Sequence, residues 1–508
     1  MSDYPQDTVT DSAGAQVDSY EEFGSEPPRG RGCGCWVTLT ATLVVFVVLI
    51  AIGLFLPPIN LLQRLTSPNF TTLTVRANAL SSAGLTLAAY NLKGADTLSV
   101  TLSSVPMDRF LAGDTKSGTW VPDALAAVPP SLALQSPVYA LATTGSTAQV
   151  ALSINLPADA NPDIFDLYGW NQQTGKWTFI PAHASGGTLV ATLDTVPDHV
   201  AVFQAAPTDQ PRVLVSYDVT QVLSGDAAKL ATIIAPAGLQ PTLDGKLAGN
   251  LAAGFDTNAG YLVTPAIRNY SDPRATDPDT IAAILSNSDT RREHAAQIAA
   301  FAGSGYDGVL IDYRDLPAEQ RDNFSAFITD LGRQLDQLGL LLIVSVPMAQ
   351  NQSGQWDTGA YNWRALGAAA DYLQIQLSPD PNIFVPGADR PLEAMTRWAV
   401  GEVSRDKLLL GLSTLSQRQV GDGFTTIGYD QALSALGNVT VDVQRTEAGT
   451  IDPGSAVTAK LDGYQAVAGS EPNTMQPYLD YMDTSGNAVA RMWLTTPDAL
   501  RYRMDRTL

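Results

Sequence analysis

The chain falls into three stretches that differ in how hydrophobic and polar residues alternate. Residues 36–56 form one uncharged apolar run, 70–206 alternate with a period of two between turn residues, and from 212 onward short apolar runs alternate with amphipathic segments. A period of two is typical of half-buried strands, and apolar residues at helical spacing are typical of amphipathic helices. The pattern predicts an apolar span, then a β-rich domain, then an α/β domain.

The apolar run 36–56 has the length of a single transmembrane helix. Its 21 residues, WVTLTATLVVFVVLIAIGLFL, would cross a hydrocarbon layer about 30 Å thick. A buried core helix would be shorter and would show a polar face, and a cleaved signal peptide would not follow 35 other residues. Arg29 and Arg31 precede the run and Arg64 follows it. The positive-inside rule therefore favours a cytoplasmic N terminus, with the C-terminal domains outside the cell membrane.

The segments on either side of the run show no folding pattern. Residues 1–35 combine seven acids with glycine, serine and proline, a composition typical of a disordered tail. Residues 57–69 are expected to be a linker. Cys33 and Cys35 lie too close in sequence for an unstrained disulfide.

Charge and histidine content exclude several classes of protein. The 30 basic and 51 acidic residues give a net charge of −21, which excludes a nucleic-acid protein that works through a broad basic surface. The three histidines, His183, His199 and His294, do not have the spacing of a zinc hydrolase motif. We expect neither a metal nor a cofactor.

The β-rich stretch 70–206 predicts a β-sandwich domain, because its short apolar strands are regularly spaced between turn residues. Trp170 and Trp177 flank a predicted hairpin turn with Gly175 in the left-handed conformation. The two tryptophans would suit a sugar-stacking platform, but cross-strand packing is the more common use of such a pair.

Residues 212–508 contain eight short apolar runs with helical stretches between them, notably 279–302 and 317–338. We place the strands at 213–217, 232–235, 261–267, 308–313, 340–346, 371–377, 407–412 and 490–494. Eight such units predict a (β/α)8 TIM barrel with a small α+β insertion at about 413–489. A doubly wound sheet would need fewer strands and a glycine-rich phosphate loop.

The fourth of these strands carries the sequence YDGVLIDYRDL, at 306–316. It resembles the DGxDxDxE strand of glycoside hydrolase family 18, the chitinase-like barrels, and above all the bacterial spore-cortex and cell-wall lytic branch that reads YDGVNIDFE. The likeness continues through TIIAPAGLQPTLDGKL, VTPAIRNYSD, YNWRALGAAADYLQIQ and YLDYMDTSGNAVARMWL, and so covers nearly all of 212–508.

The resemblance implies a retaining glycosidase that uses the acetamido group of its substrate, with a glutamate as proton donor and an aspartate two residues earlier. Residues 310, 312 and 314 share the inward strand face, so Asp312 matches the aspartate and Arg314 stands at the position of the glutamate. A guanidinium does not act as a general acid near neutral pH. The sixth strand departs as well, since Gln376 begins the segment where the family often reads M-x-Y-D.

The resemblance therefore implies binding of an N-acetylglucosamine-containing polymer, of chitin or peptidoglycan type, without efficient hydrolysis. The expected ligand-binding residues are Asp312, Arg314, Gln376, Asn269 and Trp493, with Trp493 as a stacking floor. Two alternatives remain open. Asp312 and Arg314 would form a purely structural ion pair, or the protein would be an active glycosidase with a different acid, such as Asp315.

Overall fold

The computed structural model describes residues 70–507 except 147, 158–160, 207–210, 273–274, 388–389, 435–439, 445 and 448–456. The chain divides into two units, residues 1–69 and 70–508. The predicted acidic tail, transmembrane segment and linker all belong to the first unit and lie outside the described residues. None of the described helices combines the length and apolar composition that a bilayer span requires.

The first part of the second unit contains two antiparallel sheets. Its strands are β1 Thr71–Leu73, β2 Ala79–Ser82, β3 Leu85–Tyr90, β4 Leu98–Val105, β5 Leu132–Leu134, β6 Val138–Gly145, β7 Gln149–Asn155, β8 Phe165–Asn171, β9 Lys176–Ile180, β10 His183–Ser185, β11 Thr188–Leu193 and β12 His199–Ala205. One sheet has the order β1-β4-β6-β12-β8-β9, with β5 on β12, and the other has the order β10-β11-β7-β3-β2. Apolar side chains of both sheets form one core, which explains the period of two in their strands. The first sheet is also covered on its other face at β8 and β12, where Tyr168, Trp170 and Phe203 belong to a second core.

Short helical segments complete this β-rich part, which residues 70–206 span. They are α1 Met107–Leu111, α2 Val121–Ala126 and a 3-10 turn at Pro162–Ile164. Trp170 and Trp177 are direct cross-strand partners in β8 and β9, and Gly175 between them has a φ of +64°. Both indoles are buried, at 2% and 9% exposed, so they pack the sheet and present no open platform.

The second part is built on a parallel sheet whose strands follow one another in chain order. The strands from 214 to 411 are β13 Leu214–Tyr217, β14 Ile233–Pro241, β15 Leu247–Gly249, β16 Leu262–Val263, β17 Ala266–Arg268, β18 Tyr270–Asp272, β19 Ala275–Thr276, β20 Gly308–Asp312, β21 Leu341–Pro347, β22 Gln350–Gln352, β23 Gln355–Asp357, β24 Tyr372–Gln376 and β25 Leu408–Gly411. The order β13-β14-β17-β20-β21-β24-β25 is parallel throughout. Consecutive parallel strands of this kind form the wall of a barrel.

Helices connect these strands. They are α3 Gly225–Leu230, α4 Pro278–Ser286, α5 Ser288–Ala302, α6 Arg321–Leu338, α7 Trp363–Ala369 and α8 Pro391–Glu402, with 3-10 turns at Ala318–Gln320, Pro381–Phe384 and Arg405–Lys407. The predicted helix 279–302 is two helices, because the Asn287 side chain accepts hydrogen bonds from the amides of Asp289 and Thr290 and starts α5 anew. Helix α6 ends at Gly339, whose φ is +70°.

Alternate residues on each barrel strand face opposite layers. Leu310 packs with Ile233, Ala266 and Ile343 in a cluster inside the sheet. Val309 and Ile311 belong to the separate, larger core that the helices share with the outer face of the strands. The inward direction of residues 310 and 312 therefore follows the predicted alternation.

The prediction of an eighth barrel strand at 490–494 needs correction. Residues Ala488–Trp493 form a strand, β32, but it pairs with antiparallel strands of a separate sheet. The other strands of that sheet are β26 Ser416–Val420, β27 Gly423–Ile427, β28 Thr440–Asp442, β29 Thr458–Leu461, β30 Tyr464–Glu471 and β31 Gln476–Asp483, in the order β27-β26-β32-β31-β30-β29-β28, and the helices there are α9 Tyr429–Ser434 and α10 Pro497–Thr507. Within the described ranges, the parallel sheet is thus an open, barrel-like wall of seven main strands. An apolar run predicts a strand but does not specify its partner, which is why the sequence misplaced this one.

Candidate functional site

The candidate site is a hydrogen-bonded cluster around the carboxylate of Asp312, the last residue of β20. The carboxylate is buried, with 4% of its side chain exposed. Arg314 donates from Nε to Oδ1 at 3.0 Å and from Nη2 to Oδ2 at 2.9 Å. Gln376, at the end of β24, donates from Nε2 to Oδ1 at 2.7 Å, and the Tyr270 hydroxyl donates to Oδ2. The structure therefore brings together three of the predicted site residues, Asp312, Arg314 and Gln376.

A second arginine approaches the same carboxylate from the neighbouring strand. Arg268 Nε lies 3.7 Å from Asp312 Oδ2, and Arg268 Nη2 donates to Ser216 Oγ at 2.8 Å. Gln376 Nε2 also lies 2.7 Å from Ser345 Oγ. These side chains come from the ends of five parallel strands, so they form one polar layer above the apolar interior of the sheet. In barrels of this architecture, functional residues lie at the carboxyl ends of the strands.

The charges of the cluster stabilise one another. Burial alone would raise the pKa of Asp312, but Arg314, Arg268 and the Tyr270 hydroxyl together hold it below the usual range. Burial would likewise lower the pKa of Arg314, but the charge and hydrogen bonds of Asp312 raise it. Near neutral pH, Asp312 is therefore an anion and Arg314 a cation, and neither group is suited to donate a proton.

Tyr270 holds the cluster from one side. Burial raises the pKa of its phenol, and the negative charge of Asp312 raises it further, so the hydroxyl remains a donor. The guanidinium of Arg314 lies over the same ring, 4.3 Å from its centroid. This cation–π contact and the paired hydrogen bonds fix the Arg314 side chain, which still keeps 30% of its surface exposed.

Asn269 acts on the main chain of Arg314. Its Nδ2 donates to the carbonyl oxygen of Arg314 at 2.9 Å, and its Oδ1 accepts from the Arg314 amide at 2.8 Å. Both ends of the amide are thus used within the protein. Asn269 is buried, at 4% exposed, and positions Arg314.

Asp315 follows Arg314 but leaves the cluster. The residue has a φ of +57°, a left-handed conformation that turns the chain out of the strand. Its side chain is exposed, and Oδ2 accepts a hydrogen bond from Thr276 Oγ1 at 2.7 Å.

Trp493 lies in the antiparallel sheet and has other neighbours. Its indole Nε1 donates to Gln419 Oε1 at 2.8 Å, and its ring packs against Tyr478 with centroids 5.3 Å apart. Arg491 lies 5.0 Å from the ring centroid on the same strand. With 2% of its surface exposed, the indole offers no open face on which a sugar would stack.

Contacts on the helix side of the sheet also hold the strand that carries Asp312. Tyr313 points to the helix side, where its hydroxyl lies 2.7 Å from His294 Nε2. His294 Nδ1 lies 2.7 Å from the carbonyl oxygen of Gly245, in the turn before β15, and burial lowers the pKa of the imidazole. Tyr361 donates its hydroxyl to the carbonyl oxygen of Tyr313 at 2.7 Å. These contacts fix the end of β20 from two sides.

Sequence reasoning missed Arg268, Tyr270, Ser216 and Ser345. A signal was present for the first two, because Arg268 interrupts an otherwise apolar strand and Tyr270 lies two residues further on the same face. The serines carried no signal, since a small hydroxyl in a strand is common. In the described ranges, no group of three or more histidine, cysteine, aspartate or glutamate side chains is placed to hold a metal ion.

Comparison with curated proteins finds related sequences, although no family model matches the chain. The Bacillus subtilis protein "Putative sporulation-specific glycosylase YdhD" is 25% identical over 209 residues, or 39% of this chain and 49% of that protein. "Uncharacterized glycosylase YvbX" from the same organism is 25% identical over 32% of this chain and 46% of its own length. The chain thus spans about half the length of the curated relatives it matches.

Several solved structures are similar to this chain. The spore cortex-lytic enzyme SleL of Bacillus megaterium is 14% identical, with a TM-score of 0.43, covering 80% of this chain and 91% of that one. A chitinase from Chromobacterium violaceum is 23% identical, with a TM-score of 0.40, covering 57% and 87%. Both sequence relatives are named as glycosylases, one of them sporulation-specific, and they confirm the resemblance to glycoside hydrolase family 18 that the barrel motifs indicate.

Proposed function

We propose that the protein binds an N-acetylglucosamine-containing cell-wall glycan at the end of the barrel strands and does not hydrolyse it efficiently. The supporting observation is the state of Arg314. The resemblance to glycoside hydrolase family 18 places Arg314 at the position of the family's proton-donating glutamate. Its guanidinium is instead a charged partner of the buried Asp312 carboxylate.

An arginine at this position removes general acid catalysis. A guanidinium keeps its proton throughout the neutral range, and Asp312 further raises the pKa of Arg314. Loss of a general acid typically costs about 10² to 10⁴ in rate. Asp312 does not replace it, because Arg314 and Arg268 keep its pKa low.

The same groups favour binding of a hydroxyl-rich ligand. Arg314 carries five N–H donors, two of which bond Asp312, and its side chain is 30% exposed. Tyr270 and Gln376 are fixed by Asp312 at the same edge of the sheet. Polar groups that are held in place before a ligand arrives lower the entropy cost of binding.

A second candidate is an active glycosidase in which Asp315 supplies the proton. The observation in its favour is that Asp315 is an exposed carboxyl next to Arg314, held by Thr276 in a left-handed conformation. Such backbone conformations concentrate at functional sites.

The location of the protein is part of the proposal. The apolar run 36–56 supports a single-pass anchor in the cell membrane, with the N terminus cytoplasmic and residues 70–508 extracellular. Protease added to intact cells should digest the C-terminal domains and spare a tag on the N terminus. Protection of the C-terminal domains would contradict this orientation.

Hydrolysis assays test the proposal. Full-length protein, Arg314→Glu and the control Arg314→Gln are incubated with labelled N-acetylglucosamine oligomers and with peptidoglycan. We expect binding without turnover by the native protein, no turnover by Arg314→Gln, and in Arg314→Glu, which regains an acid, turnover at least about 10² above the level of Arg314→Gln. Clear turnover by the native protein that Asp315→Asn abolishes would establish the second candidate instead.

A further inference from the structure

A separate cleft lies where the β-rich part meets the helical side of the barrel. It has a volume of about 310 Å³ and is called the junction cleft below. Asp163 and His183 line it from the β-rich part. Trp356, from the β22–β23 hairpin, and Arg397 and Trp398, from α8, line it from the barrel. None of these residues belongs to the Asp312 cluster.

The two walls of the junction cleft are firmly joined. The Ala182 amide donates to the carbonyl oxygen of Gly401 at 3.0 Å. A Cβ on Gly401 would lie 2.3 Å from His183 Nδ1, so this approach requires glycine. Below the contact, the hydroxyls of Tyr168 and Ser404 are 3.2 Å apart in a buried hydrogen bond. The cleft is therefore formed before any ligand binds.

Aromatic rings form one side of the junction cleft. Trp356 and Trp398 are stacked, with centroids 5.3 Å apart and an interplanar angle of 19°. Trp363 supports Trp398 from behind at 5.1 Å and is itself 1% exposed. Trp398 thus lies against both Trp363 and Trp356. Trp356 is the partly exposed indole that contacts one ring of this group and keeps a face for a ligand next to polar groups.

Polar groups also line the junction cleft, and each has a partner of its own. Arg397 Nε lies 3.0 Å from Asp163 Oδ2, and the two side chains are 46% and 35% exposed. His183 Nε2 lies 2.6 Å from Glu402 Oε1, while 38% of the His183 side chain is exposed. Arg364 holds Glu402 with two hydrogen bonds of 2.5 and 2.9 Å. The cleft therefore offers fixed donors and acceptors without an excess of either charge.

We infer that the junction cleft is a second binding site, for a neutral saccharide unit of the glycan that the barrel end binds. This inference deepens the proposed function and rests on it. A sugar ring combines an apolar C–H face, which the Trp356 indole would stack against, with a rim of hydroxyls, which Asp163, Arg397 and His183 would bond. A lipid tail would leave those polar groups unpaired, and an anion would meet the Asp163 carboxylate. The volume lies at the low end for small-molecule sites, which suits about one or two sugar rings.

Two sites on one compact unit would bind a polymer more tightly than either alone. The full-length protein in detergent, labelled with 5-fluorotryptophan, gives one ¹⁹F signal for each of its eight tryptophans. Trp356→Phe assigns the signal of Trp356. We expect the N-acetylglucosamine tetramer to shift this signal, and Trp356→Ala to weaken binding to insoluble peptidoglycan about tenfold. Gln352→Ala, in the same hairpin but outside the cleft, should bind within about twofold of native.

The outcomes separate the two sites when Gln376→Ala is measured beside these variants. One outcome would overturn the junction cleft and leave the barrel site. In that outcome the Trp356 signal does not move at saturating tetramer, Trp356→Ala binds like the native protein, and Gln376→Ala does not bind. If Trp356→Ala loses binding and Gln376→Ala binds like the native protein, the junction cleft is supported and the barrel site is overturned. Absence of binding by the native protein would overturn both.

Discussion

Two buried aspartates among the described residues each accept two hydrogen bonds from one arginine. Asp312 pairs with Arg314 at the end of the barrel strands, and Asp166 pairs with Arg405 where the β-rich part meets the barrel. The side chains of Asp312 and Asp166 are 4% and 1% exposed. In isolation the two pairs look alike.

Their surroundings differ. Around Asp166, one arginine meets one carboxylate, and Arg405 Nη2 also bonds the Asp163 carbonyl oxygen at 3.0 Å. Around Asp312, two arginines, a tyrosine and a glutamine converge on one carboxylate. The first pair is complete in itself and joins two parts of the fold. The second fills the acceptor sites of its carboxylate with four hydrogen bonds. It leaves the buried Nε of Arg268 without a hydrogen-bond partner among the described residues, and a ligand would supply one.

Removing Arg405 should have the largest effect on stability. Arg405→Ala leaves Asp166 buried without a countercharge, and breaking a buried pair in this way typically costs about 3–5 kcal/mol. Chemical denaturation should show this loss of unfolding free energy. Arg333→Ala, which removes a surface pair with Asp330 whose arginine is 63% exposed, should cost at most about 1 kcal/mol. Equal losses in both variants would show that the Asp166–Arg405 pair contributes no more to stability than a surface ion pair.

Removing Arg314 should cost less than removing Arg405. In Arg314→Ala, Tyr270, Gln376 and Arg268 still surround Asp312, so the carboxylate keeps partners. We expect a loss of about 2 kcal/mol, the scale of hydrogen bonds to a charged group, measured by the same denaturation. A loss as large as that of Arg405→Ala would mean that Arg314 is chiefly structural, and would weaken the contrast between the two pairs.

The acid response of Asp312 should be a smaller effect. Burial raises the pKa of Asp312, but Arg314 and the other donors together lower it by more. The pKa in the native state therefore lies below the pKa in the unfolded state. The unfolded state then binds more protons in acid. The stability that Asp312 contributes is therefore present above the unfolded pKa of about 3.9 and is lost as the pH falls through the native pKa.

Asp312→Asn removes this titration. As the pH falls below about 4, the unfolding free energy of the native protein should decrease more steeply than that of Asp312→Asn. The two slopes should differ by up to about 1.4 kcal/mol per pH unit. Parallel pH profiles would contradict an ionised Asp312. The difference between the two proteins isolates Asp312 from the other carboxylates with low pKa values, such as Glu402.

The barrel strands and their inward residues were predictable because strand periodicity is local. The pairing of Asp312 with Arg314 followed from two residues on one strand face, and the structure brings Gln376 to them. Strand partners were not predictable, and β32 joined a different sheet from the one expected. The Asp166–Arg405 contact spans 239 positions of sequence, and neither residue belongs to a local pattern that would indicate it.

We propose that the protein binds its glycan and does not cut it. The most direct measurement follows binding of a labelled N-acetylglucosamine tetramer to an excess of full-length native protein and the release of new reducing ends in the same samples, from pH 4 to 8. We expect saturable binding, with release of reducing ends that remains at the level of Arg314→Gln throughout. Release well above that level, with a bell-shaped pH profile that Asp315→Asn removes, would contradict it.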